Sequence, residues 1–167
     1  MTRLNIDIRP AKSAEIPAIA ALAREIWQAA YLDLLGQGQI DYMLEQRYNP
    51  RQLQDDLDNP DKWFDLAFYQ GRLAGFAGSE IHAGEFKLDK LYVDPDLQRG
   101  GVGGQLIAHV AARAGKLGYP GLILAVNKNN EQAIAAYRKH GFRVREAKVS
   151  DIGGGFIMDD FIMEKQL

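Results

Sequence analysis

The stretch from Lys87 to Leu117 restricts both the fold and the chemistry of this chain more than any other. It begins with a short apolar pattern, Leu88, Leu91 and Val93, that ends at Asp94-Pro95, a dipeptide that stops a strand and opens a turn. Gly100, Gly101, Gly103 and Gly104 follow, and then Leu106, Ile107, Val110, Ala111, Ala114 and Leu117 recur at helical spacing. The order is strand, turn, glycine loop, helix. The first N–H groups of a helix are unpaired and carry partial positive charge, so such a junction attracts a phosphate or pyrophosphate. Glycines let the backbone come close to the anion. Two familiar phosphate loops are excluded. A Walker loop needs Gly-Lys-Ser/Thr where this chain has Gly104-Gln105-Leu106, and the dinucleotide fingerprint needs a glycine where it has Leu106.

The rest of the chain reads as a mixed α/β layout. Leu4, Ile6 and Ile8 alternate with polar residues up to Arg9-Pro10 and predict a first strand. Ser13 offers a helix cap, Pro17 fits a first helical turn, and Ile16, Ile19, Leu22, Ala23, Ile26 and Trp27 form one apolar face. Gly36 and Gly38 break that region, a second helix carries Ile40, Met43 and Leu44, and a short third carries Leu53 and Leu57. Trp63 to Tyr69 and Leu73 to Ile81 read as a hairpin about Gln70-Gly71-Arg72. Leu122 to Val126 is a buried-strand run, and Asn130 caps a helix that ends at His140-Gly141. Two last strands, Phe142 to Val149 and Phe156 to Lys165, are predicted on either side of Ser150 to Gly154.

Composition narrows the function classes. The chain has 167 residues, enough for one domain, 1–167, with a real core. A formal net charge of −2 and the lack of any basic run speak against a nucleic-acid surface. With no cysteine there are no disulfides, no thiolate metal sites and no cysteine acyl-enzyme. His82, His109 and His140 are isolated, without metal-ligand spacing, so no metal is expected. The N-terminus lacks an apolar signal region and no segment reaches membrane-spanning length, which predicts a cytoplasmic, soluble protein without a membrane partner.

Two motifs together carry a family resemblance. Gln98-Arg99-Gly100-Gly101-Val102-Gly103 fits the Gln/Arg-x-x-Gly-x-Gly/Ala signature, placed just after a strand ending in Val-Asp-Pro. Asn130 to Phe142 fits Asn-x-x-Ala-x-x-x-Tyr-x-x-x-Gly-Phe. At this separation the pair resembles the GNAT superfamily of acyl-CoA-dependent N-acetyltransferases along nearly the full chain. The resemblance implies a central, mixed, mostly antiparallel sheet with splayed parallel central strands, flanked by helices. It also implies acetyl-CoA as co-substrate. The pantetheine arm would lie along Leu91, Tyr92 and Val93, and the pyrophosphate over the amides from Arg99 to Gly104, with Gln98 at the loop entrance. Arg99 would reach a phosphate or stay solvated. Asn130 would hold the arm as well as cap its helix, or cap alone.

The same resemblance assigns Tyr137 to protonation of the leaving thiolate, which suits a phenol with a pKa of about 10. The base that takes a proton from the amine is open. Family members often place a glutamate where this chain has Lys87, so Asp89, Glu80 or water are the candidates. Trp27, Tyr31, Tyr42 and Met43 are expected to line the acceptor pocket or to be plain core. The front half and the tail Ile157 to Lys165 are similar to the bacterial spermidine/spermine branch, which implies a small amine acceptor such as a polyamine. Asp41, Asp159 and Asp160 are candidates to meet its charges. A protein N-terminus or lysine as acceptor, and an acyl-CoA sensor without turnover, are the competing readings. The apolar last strands are a candidate homodimer edge.

Overall fold

In a computed structural model, which describes residues 3–167, the strands β1 (Asp7–Pro10), β2 (Lys62–Tyr69), β3 (Arg72–His82), β4 (Glu85–Val93), β5 (Gly121–Asn127), β6 (Arg143–Gly153) and β7 (Phe156–Gln166) form one sheet. The helices are α1 (Ile16–Leu35), α2 (Gln37–Arg47), α3 (Pro50–Asp58), α4 (Val102–Lys116) and α5 (Glu131–Lys139). The strand order is β1-β2-β3-β4-β5-β7-β6, and the pairing is antiparallel everywhere except between β4 and β5. A parallel pair needs a crossover, and here that crossover is the glycine loop and α4. Among the described residues no helix is long and apolar enough to cross a membrane.

Each face of the sheet buries its own core. Val102, Leu106, Ile107, Val110 and Ala114 of α4 and Ile134 of α5 pack on one face, against Phe86, Leu88, Leu122, Leu124 and Met163. Ile19, Ala23, Ile26 and Trp27 of α1, Ile40 and Leu44 of α2 and Leu53 of α3 cover the other, against Phe64, Leu66 and Phe76. The period-2 alternation of β2 supplies both faces at once. Asp65, on the α4 side of β2, is 1% exposed and takes both guanidinium nitrogens of Arg113, at 2.7 and 2.8 Å. That two-point bond clamps α4 to the sheet at a set angle.

β4 and β5 are in register only at Phe86–Leu122 and Lys87–Ile123, after which they part. The cause lies on the other edge of β4. There Gly78 opposes Lys90 and Ser79 opposes Leu88, so Asp89 is an extra residue, a bulge that bends β4 away. β5 meanwhile stays paired with β7 along its whole length.

Two predicted boundaries are corrected. The first strand does not begin at Leu4: the Leu4 N–H donates to the Gly100 carbonyl at 2.7 Å, and Gln105 Nε2 donates to the Leu4 carbonyl at 2.9 Å, so pairing in the sheet starts at Asp7. β6 does not stop at Val149 but runs to Gly153, which leaves only Gly154 and Gly155 as the turn. Ser150 and Asp151 still find ladder partners in Met158 and Ile157, a long-range pairing that local propensity could not reveal.

Candidate active site

The parting of β4 and β5 opens a cavity of about 350 Å³. Leu88, Asp89, Leu91 and Tyr92 of β4 form one wall, and Leu124 to Asn127 of β5 form the other. From Leu88 onward the edge of β4 turned toward β5 has no strand partner, so its amide and carbonyl groups are open to an extended ligand. Trp27 and Tyr31 of α1 and Tyr42 and Met43 of α2 close the front, with the Trp27 and Tyr31 rings 4.7 Å apart. The outer end is strapped. The Tyr42 hydroxyl donates to the Ile152 carbonyl at 2.8 Å and Gln39 Nε2 donates to the Ile157 carbonyl at 2.8 Å, which ties α2 to the β6–β7 hairpin. A Cβ at Gly153 would lie 2.5 Å from the Tyr42 hydroxyl oxygen, so this strap requires the glycine.

The glycine loop lies beyond the end of β4. Arg99 (φ +67°) and Gly101 (φ +82°) take left-handed conformations, and Gly101 caps α4. Among the described residues no group accepts a hydrogen bond from the amides of Arg99 to Gly104. Six successive N–H donors at the start of a fifteen-residue helix suit a diphosphate, both through hydrogen bonds and through the helix dipole. Two of the glycines have a packing reason as well. A Cβ at Gly100 would lie 2.6 Å from Leu4 Cδ1, and one at Gly104 would lie 2.8 Å from His140 Cε1.

Tyr137 of α5 lines the cavity, its ring edge-on to Phe142 at 5.7 Å, and its hydroxyl has no protein partner among the described residues. Burial raises its pKa, with a smaller push from Tyr31, so the phenol is protonated at any physiological pH. Asp89 also lines the cavity, but two cations hold it: Lys90 Nζ at 2.6 Å and Arg47 Nη2 at 2.8 Å. Burial alone would raise its pKa. The Lys90 and Arg47 charges outweigh burial and keep the carboxyl well below the usual carboxylate range. Arg47 answers in kind, for against the burial that disfavours its charge Asp89 carries its pKa upward.

These features have a recognisable counterpart, since residues 20–142 match the acetyltransferase (GNAT) family. The chain belongs to that family. Over 98% of both chains it is 26% identical to a spermidine N(1)-acetyltransferase of Thermoplasma acidophilum. It superposes on the structure of the PaiA N-acetyltransferase of Thermoplasma acidophilum in complex with coenzyme A with a TM-score of 0.84 and 27% identity, covering 98% of this chain and all of that one. A peptidyl-lysine N-acetyltransferase of Escherichia coli is 40% identical over 67 residues, 40% of this chain and 42% of that protein. As a GNAT member with such relatives, the chain is an acyl-CoA-dependent N-acetyltransferase.

Within this GNAT site the expected residues fall in different places. Trp27, Tyr31, Tyr42, Met43, Asp89, Leu91, Tyr92 and Tyr137 all line the cavity. Gln98 to Gly104 form the loop outside it, Val93 leads into the turn, and the Asn130 side chain accepts from the Ala133 N–H at 3.3 Å as the α5 cap. Glu80 is apart from them, 3.6 Å from Lys62 Nζ in a small cleft with Asp56 and Trp63. Of the three acids considered for a cationic substrate, Asp41 is held on the surface by Gln37 and Asp159 pairs with Lys128 at 2.9 Å. Asp160 alone of them reaches the cavity. Reading the residues missed Arg47, Lys87 and Lys148 as cavity walls. Arg47 had no signal, because a cation in the last turn of a helix is ordinary.

Proposed function

We propose that this acetyltransferase passes the acetyl group of acetyl-CoA directly to a primary amine of a small molecule, a polyamine of the spermidine type. The observation that carries the small-molecule reading is the strap from α2 to the β6–β7 hairpin, which bounds the outer end of the cavity. The full-length similarity to a spermidine N(1)-acetyltransferase supports the polyamine. The sequence match to the peptidyl-lysine enzyme spans 40% of this chain, against 98% for the spermidine enzyme.

The residues fit the co-substrate. The open amides from Arg99 to Gly104 would take the diphosphate, and the unpaired edge of β4 at Leu91 and Tyr92 would receive the amide groups of the arm. The bound thioester supplies an activated acetyl carbonyl and a thiol leaving group. Tyr137 holds its proton because of burial and delivers it to the departing sulfur. Direct transfer is the reading, and with no cysteine in the chain a cysteine acyl-enzyme is ruled out. Two observations speak against Asp89 and Glu80 as the base in this reading: Asp89 is paired with Arg47 and Lys90, and Glu80 lies outside the cavity.

Thiol release from acetyl-CoA in the presence of an amine panel tests the proposal. Release is expected with spermidine and not with a lysine-containing peptide. Release with the peptide alone would overturn the small-molecule reading, and no release with any amine would overturn transfer to amines.

A further inference from the structure

We infer that Asp160 of β7 receives the acceptor's ammonium group on its carboxylate and takes the proton that the amine must lose before attack. The inference rests on the acetyl-transfer reading above. Asp160 lines the cavity, is 9% exposed, and its Oδ1 is buried without a hydrogen-bond partner among the described residues. A buried carboxylate oxygen without a donor is costly, so its place in the wall points to a donor from outside the chain.

The groups around it leave that task to Asp160. On β4, Asp89 is engaged by Arg47 and Lys90, and Lys87 lies 3.9 Å from Asp89. On β6, Lys148 is the direct cross-strand neighbour of Asp160 yet makes no ion pair with it within 4.0 Å. On β5 the cross-strand neighbour is the uncharged Asn127, and on α1, α2 and α5 the cavity presents the phenols of Tyr31, Tyr42 and Tyr137. Asp159 is turned to Lys128. Among the described residues Asp160 is thus the one carboxylate on the walls with no ion pair within 4.0 Å. Burial raises its pKa, against the pull of Lys87 and Arg47 and with a push from Asp159, which brings it closer to the working pH of a base.

The step balances as follows. One N–H bond of the ammonium breaks and an O–H bond forms on Asp160. The freed nitrogen lone pair bonds to the thioester carbonyl carbon. The C–S bond then breaks, its electron pair stays on sulfur, and sulfur takes the Tyr137 proton. The second proton lost by nitrogen restores Tyr137, and Asp160 returns its own to solvent.

The test compares Asp160→Asn, Asp160→Glu and the surface control Asp55→Asn, an exposed acid on α3, with the native enzyme. Spermidine binding to the coenzyme A complex is measured by calorimetry, and kcat/KM for spermidine is measured against pH. In Asp160→Asn, spermidine affinity should fall at least about tenfold, coenzyme A affinity should hold, and kcat/KM should fall about 100-fold at neutral pH. The shape of the profile should also change. Native kcat/KM should be level between the Asp160 pKa and that of the amine, whereas without the carboxylate it should rise tenfold per pH unit, because only free amine then reacts. Partial recovery in Asp160→Glu and native behaviour of Asp55→Asn complete the expected result. Asp160→Asn with native spermidine affinity, or with a lowered rate but an unchanged profile, would overturn the inference. Absence of thiol release by the native enzyme would instead overturn the transfer reading, and the binding comparison would still judge Asp160.

Discussion

Replacing Asp89 by Asn separates a structural carboxylate from a catalytic one. The side chain bridges Lys90, which is 7% exposed, and Arg47, which is 28% exposed, at 2.6 and 2.8 Å. Removing one partner of a buried ion pair costs about 3–5 kcal/mol, because the other charge stays buried and uncompensated. Two features reduce that here: Lys90 keeps Asp56 at 4.0 Å, and Arg47 is partly in water. We therefore expect a loss of about 2–4 kcal/mol, or roughly 5–15 °C in Tm for a domain of this size. Because the folded-state pKa of Asp89 lies below its unfolded value, its stabilisation is complete above about pH 4 and is lost as pH falls further, through the folded value. Urea unfolding of the two proteins should show a constant gap from pH 8 to about pH 4 and a narrowing gap below it. The folded variant should keep kcat within about tenfold of native, whereas loss of a general base costs about 10²–10⁴-fold. A variant of native stability with turnover reduced more than about 100-fold would refute the reasoning and make Asp89 the base.

Three further outcomes are expected. Tyr137→Phe should lower kcat about 100-fold while the calorimetric affinity for coenzyme A stays within a few fold, and unchanged turnover would remove the phenol from the mechanism. Gly75→Ala should destabilise by about 1–3 kcal/mol in urea melts, since its Cβ would lie 2.5 Å from the Tyr92 carbonyl oxygen, a backbone atom that cannot swing aside. The same substitution should weaken coenzyme A binding, because Tyr92 belongs to the open edge of β4. Lys148→Glu should lower KM for spermidine several fold relative to a monoamine. The gain should vanish in high salt, since Lys148 is exposed beside Asp160 and its charge acts through water.

The local patterns of the chain were sufficient for the element types, the glycine loop and the helix of Tyr137, because turn residues, caps and hydrophobic period act within a few residues of one another. They were also sufficient for the family, whose two motifs are both short and contiguous. What they could not carry was who meets whom. The bulge at Asp89 exists only because Gly78 and Ser79 lie opposite it, and the parting of β4 from β5 follows from that bulge. Asp89 and Asp160 are two cavity acids whose full surroundings the sequence does not give: Lys90 is adjacent to Asp89 in the chain, but only the fold brings Arg47 to it and leaves Asp160 Oδ1 bare. The difference is electrostatic and three-dimensional: a carboxyl's chemistry is set by burial and by charges a few ångströms away, and Arg47 reaches Asp89 across forty-two residues of chain.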